Sequence, residues 1–209
     1  MSVKTVQAII NGQTYNLTLN RETGKYEATV TAPVRSSYNQ SGHYYPVTVR
    51  ATDDAGNTTT KDASDGTLGK SLQLVVKEKV APVSAITYPT SGAFITNATP
   101  AIAFKVTDED SGINESTIKL TVDGSAVASE EISKKAVSGG YECTYTPKSA
   151  LGNGAHTITV VATDKAGKST TVTRKVTLDT GAPVFVSAKL TPNPVDAGKT
   201  FIISVEVTD

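Results

Sequence analysis

The sequence predicts an all-β protein made of tandem β-sandwiches. Apolar and polar residues alternate in one short run after another, which is the two-residue period of a β-strand. Thr, Val and Ser dominate the composition, whereas Leu is scarce and Trp is absent, a bias that suits pleated strands better than helices. Turn signals recur roughly every 8–12 residues, as in β-sandwich domains. We therefore expect almost no helix.

One short phrase occurs twice and gives the period of the repeat. It reads VRATDDAGN at residues 49–57 and VVATDKAGK at residues 160–168. The two copies are 111 positions apart, whereas the linker prolines, Pro82 and Pro183, are 101 positions apart. The difference places about ten extra residues in the first copy. The polar segment 62–71 is the expected insertion, and it reads as a surface loop.

These spacings divide the chain into three parts. Unit one is residues 1–79, unit two is residues 80–180, and the C-terminal segment is residues 181–209. Unit one has no counterpart of the two strands that open unit two, and the C-terminal segment matches only that opening pair. Unit one is closed by its own insertion, or the sequence is cut within a module, or strands are exchanged head to tail between copies.

The individual strands follow from alternation and from the turns between them. Asn11-Gly12 and Asp123-Gly124 are both two-residue hairpin signals. The predicted strands are residues 3–10, 15–19, 26–30, 45–53, 72–76, 102–108, 118–122, 141–145, 158–162 and 172–178. Charged or proline-containing linkers follow at 77–82 and 179–183.

Composition also limits the functional classes. Basic and acidic residues balance at 20 each, so no net attraction to nucleic acid or to an anionic membrane is expected. No apolar run is long enough for a membrane span, and the first residues do not resemble a signal peptide. The single cysteine, Cys143, lies in an alternating run and is expected to be a buried structural thiol without a disulfide partner.

Several motifs resemble those of bacterial immunoglobulin-like domains. The repeated Ala-Thr-Asp-x-Ala-Gly phrase resembles the signature of the sixth strand in that family, and segments 89–100 and 192–198 resemble its opening strands. The resemblance implies tandem immunoglobulin-like sandwiches from a phage tail or a bacterial surface protein. It also implies that Tyr45, eight residues before Asp53, is a corner tyrosine whose hydroxyl ties its strand to a loop. His156 stands at the equivalent place in unit two, which favours a structural role.

A cation site is the sharpest chemical hypothesis. Asp108 and Asp110 lie in an acidic cluster after one predicted strand of unit two, and Asp164 ends another. In an immunoglobulin-like sandwich these two strand ends emerge together, facing the preceding unit. Their oxygens are ligands suited to Ca²⁺, which would stiffen the junction. The alternative is that these carboxylates only cap turns through neighbouring backbone amides.

Ligand binding and catalysis complete the candidates. Tyr38 and Tyr44 flank a polar loop and are candidates for stacking on a sugar or anchoring a protein partner; alternatively, they pack on their own unit. No Ser-His-Asp set or phosphate-binding loop is present, so no catalytic residue is assigned.

The sequence thus predicts a non-enzymatic structural or adhesive spacer of a phage tail or bacterial cell surface. Its expected partner is a protein or a host-surface glycan, with head-to-tail self-association as a further expectation. No cofactor is expected apart from candidate Ca²⁺. The lack of a leader favours the virion. The rival interpretation is a carbohydrate-binding module attached to a secreted enzyme.

Overall fold

The computed structural model describes residues 2–209, and within them every long element is a β-strand. The helical residues belong to four 3₁₀ turns of three or four residues each. No helix in this part of the chain is long and apolar enough to cross a membrane. The prediction of an all-β protein is confirmed.

Unit one forms a single mixed-length sheet in the order β3-β2-β1-β4-β5, with β6 also paired to β4. Among residues 2–79, the buried hydrophobic side chains are Ala8 and Tyr45. The predicted second layer of this unit is not formed by residues 2–79. The physical reason is that nothing in unit one corresponds to the opening strand pair of unit two. The strands are β1 (Val3–Ile10), β2 (Gln13–Asn20), β3 (Lys25–Glu27), β4 (Tyr45–Asp53), β5 (Thr58–Lys61) and β6 (Gln73–Leu74).

The insertion of unit one folds into a compact loop and does not replace the absent layer. Asp65 pairs with Lys61 at 2.6 Å and accepts the backbone N–H groups of Thr67 and Leu68. A 3₁₀ turn at Gly69–Leu72 then leads into β6. The segment is therefore stabilised by its own polar contacts.

Unit two is a sandwich of two sheets. One sheet has the order β11-β10-β14-β15-β8 and the other the order β12-β13-β9-β7. Because side chains alternate along each strand, one face of each sheet points inward. The strands are β7 (Val83–Tyr88), β8 (Phe94–Ile95), β9 (Ile102–Thr107), β10 (Lys119–Val122), β11 (Ser125–Ala126), β12 (Ser133–Val137), β13 (Gly140–Tyr145), β14 (Gly154–Thr163) and β15 (Ser169–Leu178).

The core between these sheets holds the best-packed residues of the molecule. Ile102, Val106 and Val160 are fully inaccessible to solvent, and Phe104 is 1% exposed. Cys143 lies among them, and burial raises the pKa of its thiol to about 11. The expectation of a buried structural cysteine is confirmed.

The two predicted hairpin turns have the expected geometry. Asn11 and Gly12 both have positive φ values, 49° and 76°, and so do Asp123 and Gly124, at 50° and 79°. Two consecutive left-handed residues are the signature of a type I′ turn, whose twist matches that of the strands it joins. The Asn-Gly and Asp-Gly pairs therefore act as predicted.

The C-terminal segment is a separate hairpin of β16 (Val184–Thr191) and β17 (Ile202–Thr208). Every residue of both strands is exposed. Several of them are large apolar residues, among them Phe185, Ile202 and Ile203. This pattern is typical of a sheet face without a packing layer.

Candidate metal centre

Three acidic side chains converge where unit one joins unit two. Glu78 comes from the linker, Asp108 follows β9, and Asp164 follows β14. They are 8%, 5% and 1% exposed, respectively. One carboxylate oxygen from each lies within 4.8 Å of one from each of the others. The described residues contain no Lys, Arg or His nitrogen within salt-bridge distance of these three carboxylates.

Asp108 is held by the turn that follows β9. Its Oδ1 accepts the backbone N–H of Asp110 at 3.0 Å and that of Gly112 at 2.9 Å. Its own backbone N–H donates to the carbonyl of Gly139 at 3.0 Å. Gly139 lies so close that an added Cβ would stand 2.4 Å from the carbonyl oxygen of Asp108. The turn therefore fixes both the backbone and the carboxylate of Asp108.

Asp164 is held by the turn of the repeated phrase. Its Oδ1 accepts the backbone N–H of Lys168 at 2.8 Å, and its own N–H donates to the Lys168 carbonyl at 2.8 Å. Its Oδ2 is buried and has no hydrogen-bond partner. One oxygen of Asp164 is thus used by the turn, and the other is free.

The same turn in unit one ends differently. Asp53 Oδ1 accepts the backbone N–H of Asn57 at 2.9 Å, as Asp164 does from Lys168. Asp53 Oδ2, however, accepts the side-chain amide of Asn57, also at 2.9 Å. These hydrogen bonds lower the pKa of Asp53, and the bond from the Asn57 side chain contributes most. Because lysine stands where unit one has asparagine, Asp164 lacks this second donor.

Glu78 is the residue that the sequence prediction missed. Both of its carboxylate oxygens are buried without a hydrogen-bond partner. Burial raises the pKa of Glu78, the nearby Ser111 hydroxyl opposes that shift although it lies outside hydrogen-bond geometry, and the charges of Asp108 and Asp164 raise the pKa further. Between Lys77 and Lys79, Glu78 looks like a solvated linker residue. Its one signal in the sequence is that it lies in the linker that leads into unit two, whose strand-end aspartates are expected to face unit one.

Asp110 is not a member of this cluster and instead joins the two units. Its Oδ2 accepts the backbone N–H of Ser36 at 2.8 Å, and its carbonyl accepts the Asn39 side-chain amide. Nearby, Arg35 Nη1 donates to the carbonyl of Glu109 at 3.2 Å. The structure therefore gathers Asp108 and Asp164, two of the three predicted ligands, and gives Asp110 a different role.

Val76, the residue just before the linker, is bonded to the loop of unit one. Ser37, which is 2% exposed, accepts the N–H of Val76 at its Oγ at 3.1 Å. The backbone N–H of Ser37 donates to the Val76 carbonyl at 2.9 Å. Since Glu78 follows two residues later, these bonds position it at the junction.

The candidate ligand-binding tyrosines are both partly buried. Tyr38 lines a cleft at the junction together with Glu78 and Lys165, and its ring is 5.1 Å from that of His43. The ring of Tyr44 covers Gly42, where an added Cβ would lie 2.6 Å from the ring. Both rings therefore pack against residues of unit one.

Tyr45 is the corner tyrosine implied by the resemblance. It is 4% exposed, and its hydroxyl lies 3.2 Å from the carbonyl of Arg35 and 3.4 Å from that of Ser36. It thereby fastens the start of β4 to the loop that contacts unit two.

Replacing Tyr45 by phenylalanine is expected to lower the free energy of unfolding by about 1 kcal/mol, because the carbonyls of Arg35 and Ser36 lose the buried hydroxyl that donates to them. Urea denaturation followed by circular dichroism measures the loss. The control is Tyr88→Phe, at a tyrosine that is 49% exposed, where a change below about 0.5 kcal/mol is expected. Equal losses in the two variants would contradict the tethering role of Tyr45.

His156 links β14 to two loops of unit two. Its Nδ1 lies 2.7 Å from Asp123 Oδ2, and its Nε2 lies 2.7 Å from the carbonyl of Gly152. Only an imidazolium donates at both nitrogens. The bond to Asp123 and then that to Gly152 raise the pKa of His156 above its usual value. The structural role predicted for His156 is confirmed.

The raised pKa gives unit two a pH-dependent stability. The contribution of His156 is fully present below the unfolded pKa of 6.5 and is lost as the pH rises through the higher folded pKa. The melting temperature of unit two should therefore fall as the pH rises above about 6.5 and His156 loses its proton in the folded state. In His156→Gln and in Asp123→Asn this fall should become smaller. Parallel curves for the wild type and both variants, measured by calorimetry, would contradict this assignment.

Part of unit two is similar to a known protein family. Residues 82–160 match the family model described as a bacterial Ig domain. None of the curated proteins matches the sequence. The matched range contains β7, β9 and β13 and ends within β14. It therefore includes Asp108 but neither Glu78 nor Asp164.

Solved structures are similar to this chain at low sequence identity. Dimeric latent PorU from Porphyromonas gingivalis has 16% identity over 97% of this chain and 22% of its own, with a TM-score of 0.40. The protocadherin γB4 extracellular domain has 14% identity over 98% and 32%, with a TM-score of 0.45. Protocadherin γB7 EC3–6 has 20% sequence identity over 88% of this chain and 43% of its own, with a TM-score of 0.42. This chain spans less than half of each.

Proposed function

We propose that this chain, in which residues 82–160 form a bacterial immunoglobulin-like domain, is a non-enzymatic structural spacer. It belongs to a phage tail or a bacterial surface protein, and it holds neighbouring modules at a set spacing for contact with a protein or a host-surface glycan. It has no catalytic role, does not bind nucleic acid and does not insert into a membrane.

The observation that carries this proposal is the bonded junction between the units. Ser36 and Arg35 of unit one contact Asp110 and Glu109 of unit two. Ser37 also bonds Val76, the residue just before the linker, to the loop of unit one. A spacer requires joints that resist bending, and a junction with hydrogen bonds between the units meets that requirement better than a free linker.

Spin-label distance measurements test the spacer role. Labels are attached to Glu22→Cys in unit one and Ser149→Cys in unit two, both at exposed positions. Cys143 is buried and its thiol, with a pKa raised to about 11, should not react. In the presence of a chelator we expect one narrow distance distribution, which should broaden in Asp110→Ala.

A broad distribution in the unaltered chain would contradict a fixed spacing. The rival role has its own result: specific binding on a glycan array that is lost in Tyr44→Ala would make the chain a carbohydrate-binding module. Tyr45→Phe is the matched control for that array, since its ring is buried and cannot contact a sugar.

A further inference from the structure

We propose that Glu78, Asp108 and Asp164 form a Ca²⁺ site that joins unit one to unit two. The site does not depend on the spacer role, because it follows from the chemistry of these three side chains. Each comes from a different segment of the chain: the linker, the turn after β9 and the turn after β14. A cation bound among them would connect the linker to both sheets of unit two.

Burying three like charges together carries a large desolvation and repulsion cost. Three carboxylates that are more than nine-tenths buried lie within 4.8 Å of one another. An ionised carboxylate is stable in such a place only when it is paired, hydrogen-bonded or bound to a metal. Both oxygens of Glu78 and one of Asp164 have none of these partners within the described residues. A cation bound among the three carboxylates would satisfy these oxygens.

Unit one contains the same turn without an unpartnered oxygen. The turn that holds Asp164 is built like the turn that holds Asp53, but only Asp53 has an amide donor for its second oxygen. The same turn therefore holds an aspartate with both oxygens hydrogen-bonded in unit one and an aspartate with one unpartnered oxygen in unit two. The unsaturated copy is the one that faces Glu78.

The chemistry of the ligands selects the cation. All three donors are carboxylates, and hard oxygen ligands of this kind suit Ca²⁺, which binds at 2.3–2.6 Å. Two oxygens on opposite sides of such an ion are separated by roughly 4.6–5.2 Å, and the observed separations lie within 4.8 Å. Ca²⁺ also accepts irregular geometry with water completing the shell, whereas Mg²⁺ requires a near-ideal octahedron.

Two lysines are the competing source of positive charge. Lys165 and Lys168 line the cleft that Glu78 also lines. Neither ammonium group is within salt-bridge distance of the three carboxylates in the described residues. If these lysines neutralised the cluster in solution, added Ca²⁺ would find no vacant charge and would not bind.

Calorimetric titration of the chelator-treated chain with CaCl₂ tests the site. We expect one Ca²⁺ per chain with a Kd of about 10⁻⁴–10⁻³ M and a rise in Tm of at least about 5 °C at saturating Ca²⁺. Glu78→Gln and Asp164→Asn should weaken binding at least tenfold. Asp53→Asn, the equivalent change in the saturated turn, should leave Ca²⁺ affinity unchanged.

A second measurement separates a lost site from a lost fold. Without Ca²⁺, Glu78→Gln should melt at or above the temperature of the unaltered chain, because it removes one of three crowded charges. With Ca²⁺, the unaltered chain should become the more stable of the two. That crossover supports the site.

Other results would overturn the proposal. One is the absence of any heat of binding at about 10 mM Ca²⁺. Another is a Ca²⁺ affinity that both cluster variants leave unchanged, and a third is a loss of Ca²⁺ affinity in Asp53→Asn equal to that in the cluster variants. Equal affinity for Mg²⁺ would overturn the assignment to Ca²⁺. A Glu78→Gln variant that melts below the unaltered chain without Ca²⁺ would show that the carboxylate is satisfied without a cation, which also overturns it.

Discussion

Gly140→Ala is expected to destabilise unit two by about 3 kcal/mol, the upper part of the range for overpacking. Gly140 opens β13 and pairs with Thr107 of β9. A Cβ at this position would lie 2.0 Å from the carbonyl oxygen of Val106 and 2.9 Å from the Cα of Thr107. Both contacts are with backbone atoms, so no side chain can move aside to relieve them. The central strand pair of the smaller sheet must separate instead.

The matched control is Gly152→Ala in the same unit. An added Cβ at Gly152 meets no atom within 4 Å, and so the change in the free energy of unfolding should stay within about 0.5 kcal/mol. Urea denaturation of both variants gives the two values. If Gly140→Ala were as stable as Gly152→Ala, β9 and β13 would not be as close as the structure places them.

Phe104→Ala is expected to cost about 3–5 kcal/mol, as large-to-small changes at buried aromatic residues do. Phe104 lies at the centre of β9, is 1% exposed, and is among the largest fully buried side chains of the chain. Its removal would leave a cavity between the two sheets, because strands fixed by hydrogen bonds on both sides cannot close around it.

Phe94→Ala provides the same chemical change at the surface of the same unit. Phe94 is 78% exposed, so its truncation should change stability by less than about 1 kcal/mol. The two variants are compared at equal denaturant concentrations by circular dichroism. Similar losses in both would contradict a core centred on β9.

Most strands were predictable because their signals are local. The alternation at 3–10 and at 45–53 predicts the bounds of β1 and β4. The Asn-Gly and Asp-Gly pairs predict the type of the turns that join β1 to β2 and β10 to β11. Predicted strand 26–30 is shorter in the structure, where β3 ends at Glu27, and 72–76 shortens to β6. Alternation states which residues suit a strand, but pairing requires a neighbouring strand.

The acidic site was only partly predictable, for a physical reason. Asp108 and Asp164 each end a strand, and the order of strands in a sandwich brings such ends together. Glu78 reaches the same place because Ser37 bonds Val76, two residues before it, to the loop of unit one. The Asp110 carboxylate instead accepts the backbone N–H of Ser36. Both effects depend on contacts between units that are far apart in sequence, and no local pattern records them.

The two copies of the Ala-Thr-Asp turn show how a module becomes dependent on its surroundings through one side chain. Where asparagine follows the turn glycine, the aspartate is satisfied inside its own module, as at Asp53. Where lysine follows it, as at Lys168, one oxygen of the aspartate is left without a partner. In longer arrays of such modules, the residue after that glycine would then mark, from sequence alone, which joints respond to the ionic medium and which are indifferent to it.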